Sequence, residues 1–244
     1  MAVKPSIAIV GPGRLGSALS LELRRAGYRI SEIVSGDSTA SGRKARALAK
    51  LVQAKVAAAG ARLDGNLVWF CVPDREIARA AQQLAKVADW ESKIAMHSSG
   101  ALASDELRGL RLRGAAVASV HPLMTFVGGS VPSLKSVPFA LEGDPAAVRA
   151  ARRIVRDLGA EAFPISRNRK MVYHAWGAFT SPLLIALLVT AERVGRAAGL
   201  STAEARRKML PIVRQTLANY AKLGPAEAFS GPIVRGDTQV VREH

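Results

Sequence analysis

Residues 7–16 are Ile7-Ala8-Ile9-Val10-Gly11-Pro12-Gly13-Arg14-Leu15-Gly16, an apolar run that enters a G-x-G-x-x-G loop, and residues 17–23 continue with helical spacing. In such a strand-turn-helix unit the first glycine permits the tight turn and the second lets the backbone approach a pyrophosphate. The third glycine lets the helix pack closely on the strand. Free N–H groups at the helix start favour phosphates. We therefore expect residues 11–16 to bind a dinucleotide.

Composition limits the classes of function. The chain has 244 residues, is 49% hydrophobic and carries a formal charge of +16, so it can form one large or two modest domains. The charge excess is spread along the chain, and aromatic residues make up only 5% of it. Because base-stacking surfaces interleave aromatic and basic side chains, we expect no specific nucleic-acid binding. The positive charge instead favours an anionic substrate and cofactor.

The single cysteine indicates a reducing compartment. Cys71 lies within the apolar run 67–72, where a reactive thiolate is disfavoured, and one cysteine forms no disulfide framework. The first five residues lead directly into the first predicted strand, with no apolar signal segment. We expect a cytoplasmic protein with no metal site.

Strand and helix patterns alternate over the first two thirds of the chain. Helices are predicted at residues 43–52, at 75–87 with Asp74 as N-cap, and at 146–158 with Pro145 at the first helical position. After the first strand, further strands are predicted at residues 28–35, 67–72, 93–96, 116–120 and 137–141. The pattern predicts an α/β Rossmann domain, a doubly wound parallel sheet, over residues 1–165.

Residues 166–244 are predicted to form an all-helical dimerisation and substrate domain. Helices are expected at 167–198 and 202–223, ended by Gly199 and Gly224. Residues 175–191 carry no charge, and we expect a buried bundle helix at a homodimer interface rather than a membrane span. A helix that begins near Asp237 suggests that the domain is truncated at its C-terminus.

The end of the second predicted strand bears on the choice of nucleotide. Ser35 at the strand end, with Arg43 close behind it, suits the extra phosphate of NADP, and Arg14 could help to hold that phosphate. Asp37 is the competing feature, because an acidic residue about 20 positions beyond the glycines binds the ribose of NAD. We expect NADP, with NAD as the less favoured alternative.

Polar residues follow three of the predicted strands. His97 and Ser98 end one strand and His121 ends another, where parallel sheets bind ligands. Either histidine can donate to a carbonyl or move a proton at neutral pH, although a structural role is the open alternative. The remaining strand ends in Val72, Pro73 and Asp74, whose backbone we expect along the nicotinamide half of the cofactor, with Ser98 also at the cofactor.

The first long helix carries a polar and small-residue face. Lys170, His174, Gly177, Ala178 and Ser181 lie on one helical face by their spacing. Polar groups interleaved with small residues indicate a face that a ligand approaches, and a partly exposed polar face is the alternative. Lys170, His174 and Ser181 are the candidate catalytic residues here, beside His121 and His97.

Several motifs occur in a fixed order, and together they resemble one family: Gly11-Pro-Gly-Arg-Leu-Gly16, Val72-Pro-Asp74, His97-Ser-Ser-Gly-Ala101, Ser119-Val-His-Pro-Leu-Met-Thr-Phe126, Tyr173-His-Ala175 and Ser230-Gly-Pro-Ile-Val-Arg-Gly-Asp237. The chain is similar over its whole length to bacterial Rossmann-like proteins with a C-terminal domain of unknown function, often labelled NADP oxidoreductases. The resemblance implies an NADP-binding domain and a helical domain like that of 6-phosphogluconate dehydrogenase.

The chain departs from its relatives at two places. Pro182 stands where the relatives usually have Asn, and Lys170 lacks the Asn three residues later that pairs with Lys in β-hydroxyacid dehydrogenases. Two functions therefore stay open. One is an NADP-dependent oxidoreductase that transfers hydride to or from a small carbonyl, imine or acid in an interdomain cleft. The other is a non-catalytic dinucleotide sensor or partner protein.

Overall fold

The computed structural model describes residues 4–87, 89–128 and 132–243. It contains one eight-stranded sheet in the order β3-β2-β1-β4-β5-β6-β7-β8. Every strand pair is parallel except β6 and β7, which are antiparallel. The strands are β1 (Ile7–Val10), β2 (Ile30–Val34), β3 (Lys55–Ala57), β4 (Leu67–Phe70), β5 (Ile94–His97), β6 (Ala116–Pro122), β7 (Pro138–Gly143) and β8 (Glu161–Pro164).

Helices cover both faces of this sheet, which confirms the α/β fold. Every residue of β1, β2 and β4 is buried, as expected of parallel strands packed on both faces. The helices of the first part are α1 (Arg14–Arg25), α2 (Thr39–Val52), α3 (Asp74–Ala85), α4 (Arg108–Arg111), α5 (Pro145–Asp157) and α6 (Lys170–Thr180). Helices α1, α2 and α5 pack on one face, whereas α3 and α4 pack on the other.

The glycine loop joins β1 to α1 by a close approach of backbone. Gly11 has a φ of +105°, which a residue with a side chain rarely adopts. A Cβ on Gly16 would lie 2.0 Å from the carbonyl oxygen of Gly11, so α1 can approach the loop only because residue 16 is glycine. Gly13 differs, because a Cβ there would meet only the carbonyl oxygen of Cys71, at 3.9 Å.

The structure corrects several predicted element boundaries. Helix α2 begins at Thr39, four residues earlier than predicted, because Ser38 caps it by accepting the N–H of Ser41. Asp74 is the first residue of α3 and not its N-cap, which is Pro73. The short strands β3 and β8 were not predicted, and the antiparallel β6–β7 pair makes the sheet mixed rather than wholly parallel.

The chain divides into two compact units, Met1–Ala178 and Phe179–His244. The first unit contains the sheet and most of α6. The helices of the second unit are α7 (Pro182–Ala197), α8 (Thr202–Leu223), α9 (Pro225–Ala228), α10 (Pro232–Arg235) and α11 (Thr238–Glu243). Helix α8 has the predicted bounds, and Ser201 with Glu204 forms a capping box at its start. The predicted domains, residues 1–165 and 166–244, stay a prediction.

The expectation of one continuous helix over residues 167–198 was wrong. Helix α6 ends at Thr180 and α7 begins at Pro182, because Ser181 leaves the helical conformation with φ −129° and ψ −78°. The uncharged stretch Ala175–Ala191 is half-buried or exposed within the chain, and its burial at a homodimer interface stays a prediction. By length and composition alone, residues 167–197 could cross a membrane, with a mean hydropathy of 1.5 and 6% of the best window buried.

Candidate functional site

Four neighbouring strands bring the predicted polar residues to one edge of the sheet. Strands β1, β4, β5 and β6 are adjacent and parallel, so their carboxyl ends lie together. The glycine loop follows β1, residues 72–74 follow β4, and His97 and His121 lie at the ends of β5 and β6. Ligands of open α/β sheets bind at this edge. The edge lies entirely within the first compact unit.

Lys170 is the most deeply buried cation of the site. Lys170 is the first residue of α6, and it is 1% exposed. Its ammonium group donates hydrogen bonds to the carbonyl oxygen of Ser99, at 2.7 Å, and to Oγ of Ser119. Burial lowers the pKa of Lys170 to about 8, although the charges of Glu142 and Asp74 act in the opposite direction. Among the described residues, no carboxylate lies within ion-pair distance of Nζ. The ammonium is therefore held by neutral acceptors.

Two histidines converge above Gly100. A Cβ on Gly100 would lie 2.8 Å from Nδ1 of His174 and 2.9 Å from Nε2 of His121. The two rings are 6.5 Å apart and nearly perpendicular. Nδ1 of His121, on the opposite side of its ring, lies 2.7 Å from the hydroxyl oxygen of Tyr173. Only a glycine at position 100 leaves room for both nitrogens.

The electrostatics keep His121 and Tyr173 neutral at pH 7. Burial, together with the nearby charges of Lys170, His174 and His97, lowers the pKa of His121 to about 4. Burial raises the pKa of Tyr173 to about 12. His121 is therefore an uncharged imidazole and Tyr173 a phenol that keeps its proton. Lys170, with a pKa of about 8, carries a positive charge at neutral pH beside these uncharged groups.

His97 uses both ring nitrogens inside the chain. Nδ1 accepts the N–H of Ser99, and Nε2 lies 2.9 Å from the carbonyl oxygen of Ala103. The ring is fully buried, and burial lowers the pKa of His97 to about 4. These contacts favour a structural role in the loop after β5. Ser98 likewise faces inward, because its Oγ accepts the indole N–H of Trp69. A catalytic role for His97 and a cofactor role for Ser98 stay predictions.

The remaining strand end is tied to the same loop. Oγ of Ser99 donates to a carboxylate oxygen of Asp74 and accepts the N–H groups of Ala101 and Leu102. The loops after β4 and β5 are therefore joined, with Val72, Pro73 and Asp74 beside the glycine loop. Cys71 is no nucleophile, since burial raises the pKa of its thiol to about 12. The described residues contain no group of three or more metal-ligating side chains.

The packing around the three glycines shows that the glycine loop has room for a dinucleotide. Gly11 and Gly16 are required by the chain's own packing, but Gly13 is exposed and a Cβ there would collide with nothing in the chain. The open space at Gly13 is what a pyrophosphate approaching the backbone needs. Arg14 begins α1 and is exposed, with Pro12 buried and Leu15 half-buried around it. Residues 11–16 would hold the pyrophosphate.

The predicted nucleotide-specificity residues lie at the start of α2. Ser35 follows β2, and Arg43 is exposed on the second turn of α2. Asp37, the competing acidic residue, is exposed and lies 3.9 Å from a guanidinium nitrogen of Arg79 on α3. An arginine side chain thus lies within ion-pair distance of the acidic residue that was predicted to compete for NAD.

The helical face predicted from residue spacing is confirmed only in part. Lys170 and His174 reach the strand ends, and a Cβ on Gly177 would contact Leu123 at 3.5 Å. Ser181 lies beyond the end of α6, in the second compact unit, so its catalytic role stays a prediction.

Sequence reasoning missed four residues of this site. Ser99 and Ser119 hold Lys170, Tyr173 contacts His121, and Gly100 admits the two imidazoles. A signal existed for the serines, because each lies two residues from a predicted strand-end histidine. Tyr173 lies three residues after Lys170 and therefore on the same side of the helix.

Comparisons with known proteins agree with this architecture. A Rossmann-like domain matches residues 2–122, and a domain of unknown function, DUF2520, matches residues 137–244. No curated protein matches the chain. These two domains, in this order, confirm the resemblance that the motifs indicate.

Solved structures match almost the whole chain. A candidate NADP oxidoreductase, BF3122 from Bacteroides fragilis, is 22% identical with a TM-score of 0.80, covering 99% of this chain and 90% of its own. Protein TM1727 from Thermotoga maritima is 27% identical with a TM-score of 0.76, covering 97% and 87%. The pyrroline carboxylate reductase of Plasmodium falciparum, solved with NADP bound, is 14% identical with a TM-score of 0.63, covering 91% and 80%. The chain shares the fold of these proteins.

The two neutral histidines predict a loss of stability in mild acid. Their pKa of about 4 in the folded chain is below the ordinary value of 6.5, so the unfolded chain binds more protons between these pH values. The free energy of unfolding should therefore fall between pH 7 and pH 5, by roughly 1–2 kcal/mol per histidine. Urea unfolding at both pH values measures this change. The loss should be smaller in His97→Gln and His121→Gln, and a native protein equally stable at both pH values would contradict the prediction.

Proposed function

We propose that this chain, which belongs to the proteins that join a DUF2520 domain to a Rossmann-like domain, is an NADP-dependent oxidoreductase acting on a small carbonyl, imine or acid. One observation carries the proposal. Lys170, His121 and His174 converge at the carboxyl edge of the sheet, beside a glycine loop with open space at Gly13. A purely structural role for these three side chains would not explain the open space at Gly13. A non-catalytic dinucleotide-binding protein would not require the three side chains.

The roles follow from the state of each group. NADP(H), when bound by residues 11–16, supplies or accepts the hydride. Lys170 holds a proton near neutral pH and has one N–H beyond the two that bind Ser99 and Ser119, so it serves as the proton donor in the reducing direction. His121 and His174 orient the reacting oxygen or nitrogen, and His97 fixes the loop beneath them.

The preference for NADP over NAD rests on charge at the start of α2. Arg43 on α2 is exposed, and the exposed Arg79 on α3 places a guanidinium nitrogen 3.9 Å from Asp37, just before α2. The guanidinium group of Arg43 would bind the 2′-phosphate of NADP, since guanidinium groups bind phosphate well. NAD would instead need the carboxylate of Asp37, and Arg79 competes for it.

Thermal unfolding tests the cofactor site. NADP(H) should raise the Tm more than NAD(H) at equal concentration, since a ligand that binds only the folded chain stabilises it by mass action. Gly13→Ala should lower the free energy of unfolding by less than about 1 kcal/mol, so the Tm without ligand should change little. The same variant should lose the Tm increase that NADP(H) causes. Gly16→Ala is the contrasting variant, because its Cβ would collide with Gly11 and lower the Tm without any ligand.

Equal shifts with both nucleotides, or a larger one with NAD(H), would reject the NADP preference. The absence of any shift would reject the dinucleotide site itself.

Turnover tests the catalytic cluster. NADPH oxidation with a panel of 2-keto acids, simple ketones and cyclic imines should identify a substrate. Lys170→Met should then lower kcat by roughly 10²-fold or more, because the reaction loses its proton donor. His174→Ala should lower kcat/KM and leave the Kd for NADPH unchanged. Lys50→Met, an exposed lysine of α2, is the matched control.

Unchanged turnover in Lys170→Met would exclude the lysine from the reaction. Tight NADPH binding without turnover across the whole panel would favour the non-catalytic sensor.

We also propose that the second unit forms a homodimer. It exposes large apolar side chains on every one of its longer helices, including Phe179, Ile185, Leu187, Val194, Ile212 and Tyr220. Large exposed apolar side chains grouped on the same helices are a feature of surfaces that bind another protein. A second copy offers the same apolar surface to cover it, as closed twofold assemblies do.

Light scattering at micromolar concentration should give the mass of a dimer. Leu187→Asp, on α7, should yield monomers, because a dimer would bury the introduced charge. Leu112→Asp is the matched control, since Leu112 is equally apolar and 75% exposed but lies in the first unit. A native monomer at this concentration would contradict the proposal.

A further inference from the structure

We infer that Tyr173 fixes His121 in the tautomer with its proton on Nε2, so that His121 presents a neutral N–H donor to an acceptor oxygen of the substrate. The hydrogen bond between Nδ1 of His121 and the Tyr173 hydroxyl is the geometric basis. The inference deepens the proposed oxidoreductase function, and its substrate part rests on that function. It assigns Tyr173 as a positioning residue and specifies an oxygen acceptor, carbonyl or carboxylate.

The direction of the hydrogen bond follows from the available partners. Within the described residues, the Tyr173 hydroxyl has one partner, Nδ1 of His121. If the phenol donates, its proton is satisfied and Nε2 of His121 carries the ring proton. If the phenol accepts instead, its own O–H has nothing to donate to and Nε2 is left as an unused acceptor. A buried donor without an acceptor is costly, so the phenol donates.

The position of Nε2 supports this assignment. The enclosed side-chain nitrogen and oxygen atoms that lack a partner, in the described part of the chain, are Ser31 Oγ and Glu32 Oε2. Among the same described residues, Nε2 of His121 has no hydrogen-bond partner and is not one of these enclosed atoms, so it reaches accessible space. That space is next to Gly100, where Nδ1 of His174 also points. A proton on Nε2 is therefore directed to where a substrate atom would lie.

The charges around the ring keep this donor neutral. Burial and the positive charge of Lys170 disfavour a second proton on His121, and burial keeps the proton on the Tyr173 phenol. The other titratable groups around the ring are His97 and His174, and both disfavour its protonation. A neutral imidazole N–H can polarise a carbonyl without transferring its proton.

The tautomer restricts the substrate. An N–H donor pairs with a lone pair, which a carbonyl or carboxylate oxygen offers. A protonated imine has an N–H and no lone pair, so it would face Nε2 donor to donor. Of the substrates left open by the proposed function, the site then favours those that present an oxygen acceptor.

Histidine side-chain nitrogen NMR on the full-length protein tests the tautomer without cofactor or substrate. The chain has four histidines, so long-range ¹H–¹⁵N spectra at pH 7 are tractable, with His121→Gln to assign the signals. We expect a protonated-type Nε2 and an unprotonated-type Nδ1 for His121. Tyr173→Phe should move the signals of His121 towards a tautomer mixture. Tyr220→Phe, an exposed tyrosine of the second unit, should leave them unchanged.

A protonated Nδ1 in the native spectrum would overturn the inference, as would a doubly protonated ring at pH 7 or an unchanged spectrum in Tyr173→Phe. In turnover, Tyr173→Phe should lower kcat with carbonyl substrates by roughly tenfold, the effect of one hydrogen bond, with the Kd for NADPH unchanged. Preferred turnover of a protonated cyclic imine would overturn the oxygen-acceptor part. The expected spectrum without any turnover would instead reject the proposed function alone.

Discussion

The buried ammonium of Lys170 is the interaction on which the arrangement of the site depends. An unpaired charge in the interior is costly, so the chain must supply acceptors for it. The Ser99 carbonyl, in the loop after β5, and the Ser119 hydroxyl, on the adjacent strand β6, do so, and they fix the start of α6 at the carboxyl edge of the sheet. Helical geometry then places the next contacts of α6. Residues three and four positions later lie on the same face, and this brings Tyr173 and His174 to His121.

The positive charge of Lys170 also influences the protonation of the neighbouring histidines. A positive Lys170 beside two imidazoles makes a further positive charge unfavourable, and burial acts in the same direction on His97 and His121. In the proposed reaction the proton that moves near neutral pH therefore resides on the lysine, while His121 would act through a fixed hydrogen bond. The absence of the Asn that accompanies Lys in β-hydroxyacid dehydrogenases is understandable here, because Tyr173 occupies that position and contacts His121 instead.

The sequence predicted the elements whose signals are local. The glycine loop, the strand-end histidines and the bounds of α8 all depend on short-range chemistry: tight turns, buried apolar runs and a capping box. Strand β3 was missed because its three residues are largely exposed, so no apolar run marks it. The hydrogen bond between Tyr173 and His121 joins residues 52 positions apart, and no spacing rule reaches that far. The break between α6 and α7 depends on the backbone conformation of one residue, Ser181, which helical spacing alone did not reveal.

Open space, an unpaired hydrogen-bonding atom or an exposed apolar side chain distinguishes the candidate functional features from those that only stabilise the fold. Gly16 is glycine because the chain would collide with itself otherwise, whereas Gly13 leaves space that no part of the described chain needs. Both ring nitrogens of His97 form hydrogen bonds within its own loop. In His121 only Nδ1 has a partner, Tyr173, and Nε2 lies at accessible space. Apolar side chains of the first unit are mostly buried, whereas those of α7 and α8 are not. In each pair the group whose contacts are satisfied within the chain explains the fold, and the group with an open contact is the one to which we assign a bound molecule in the proposals above.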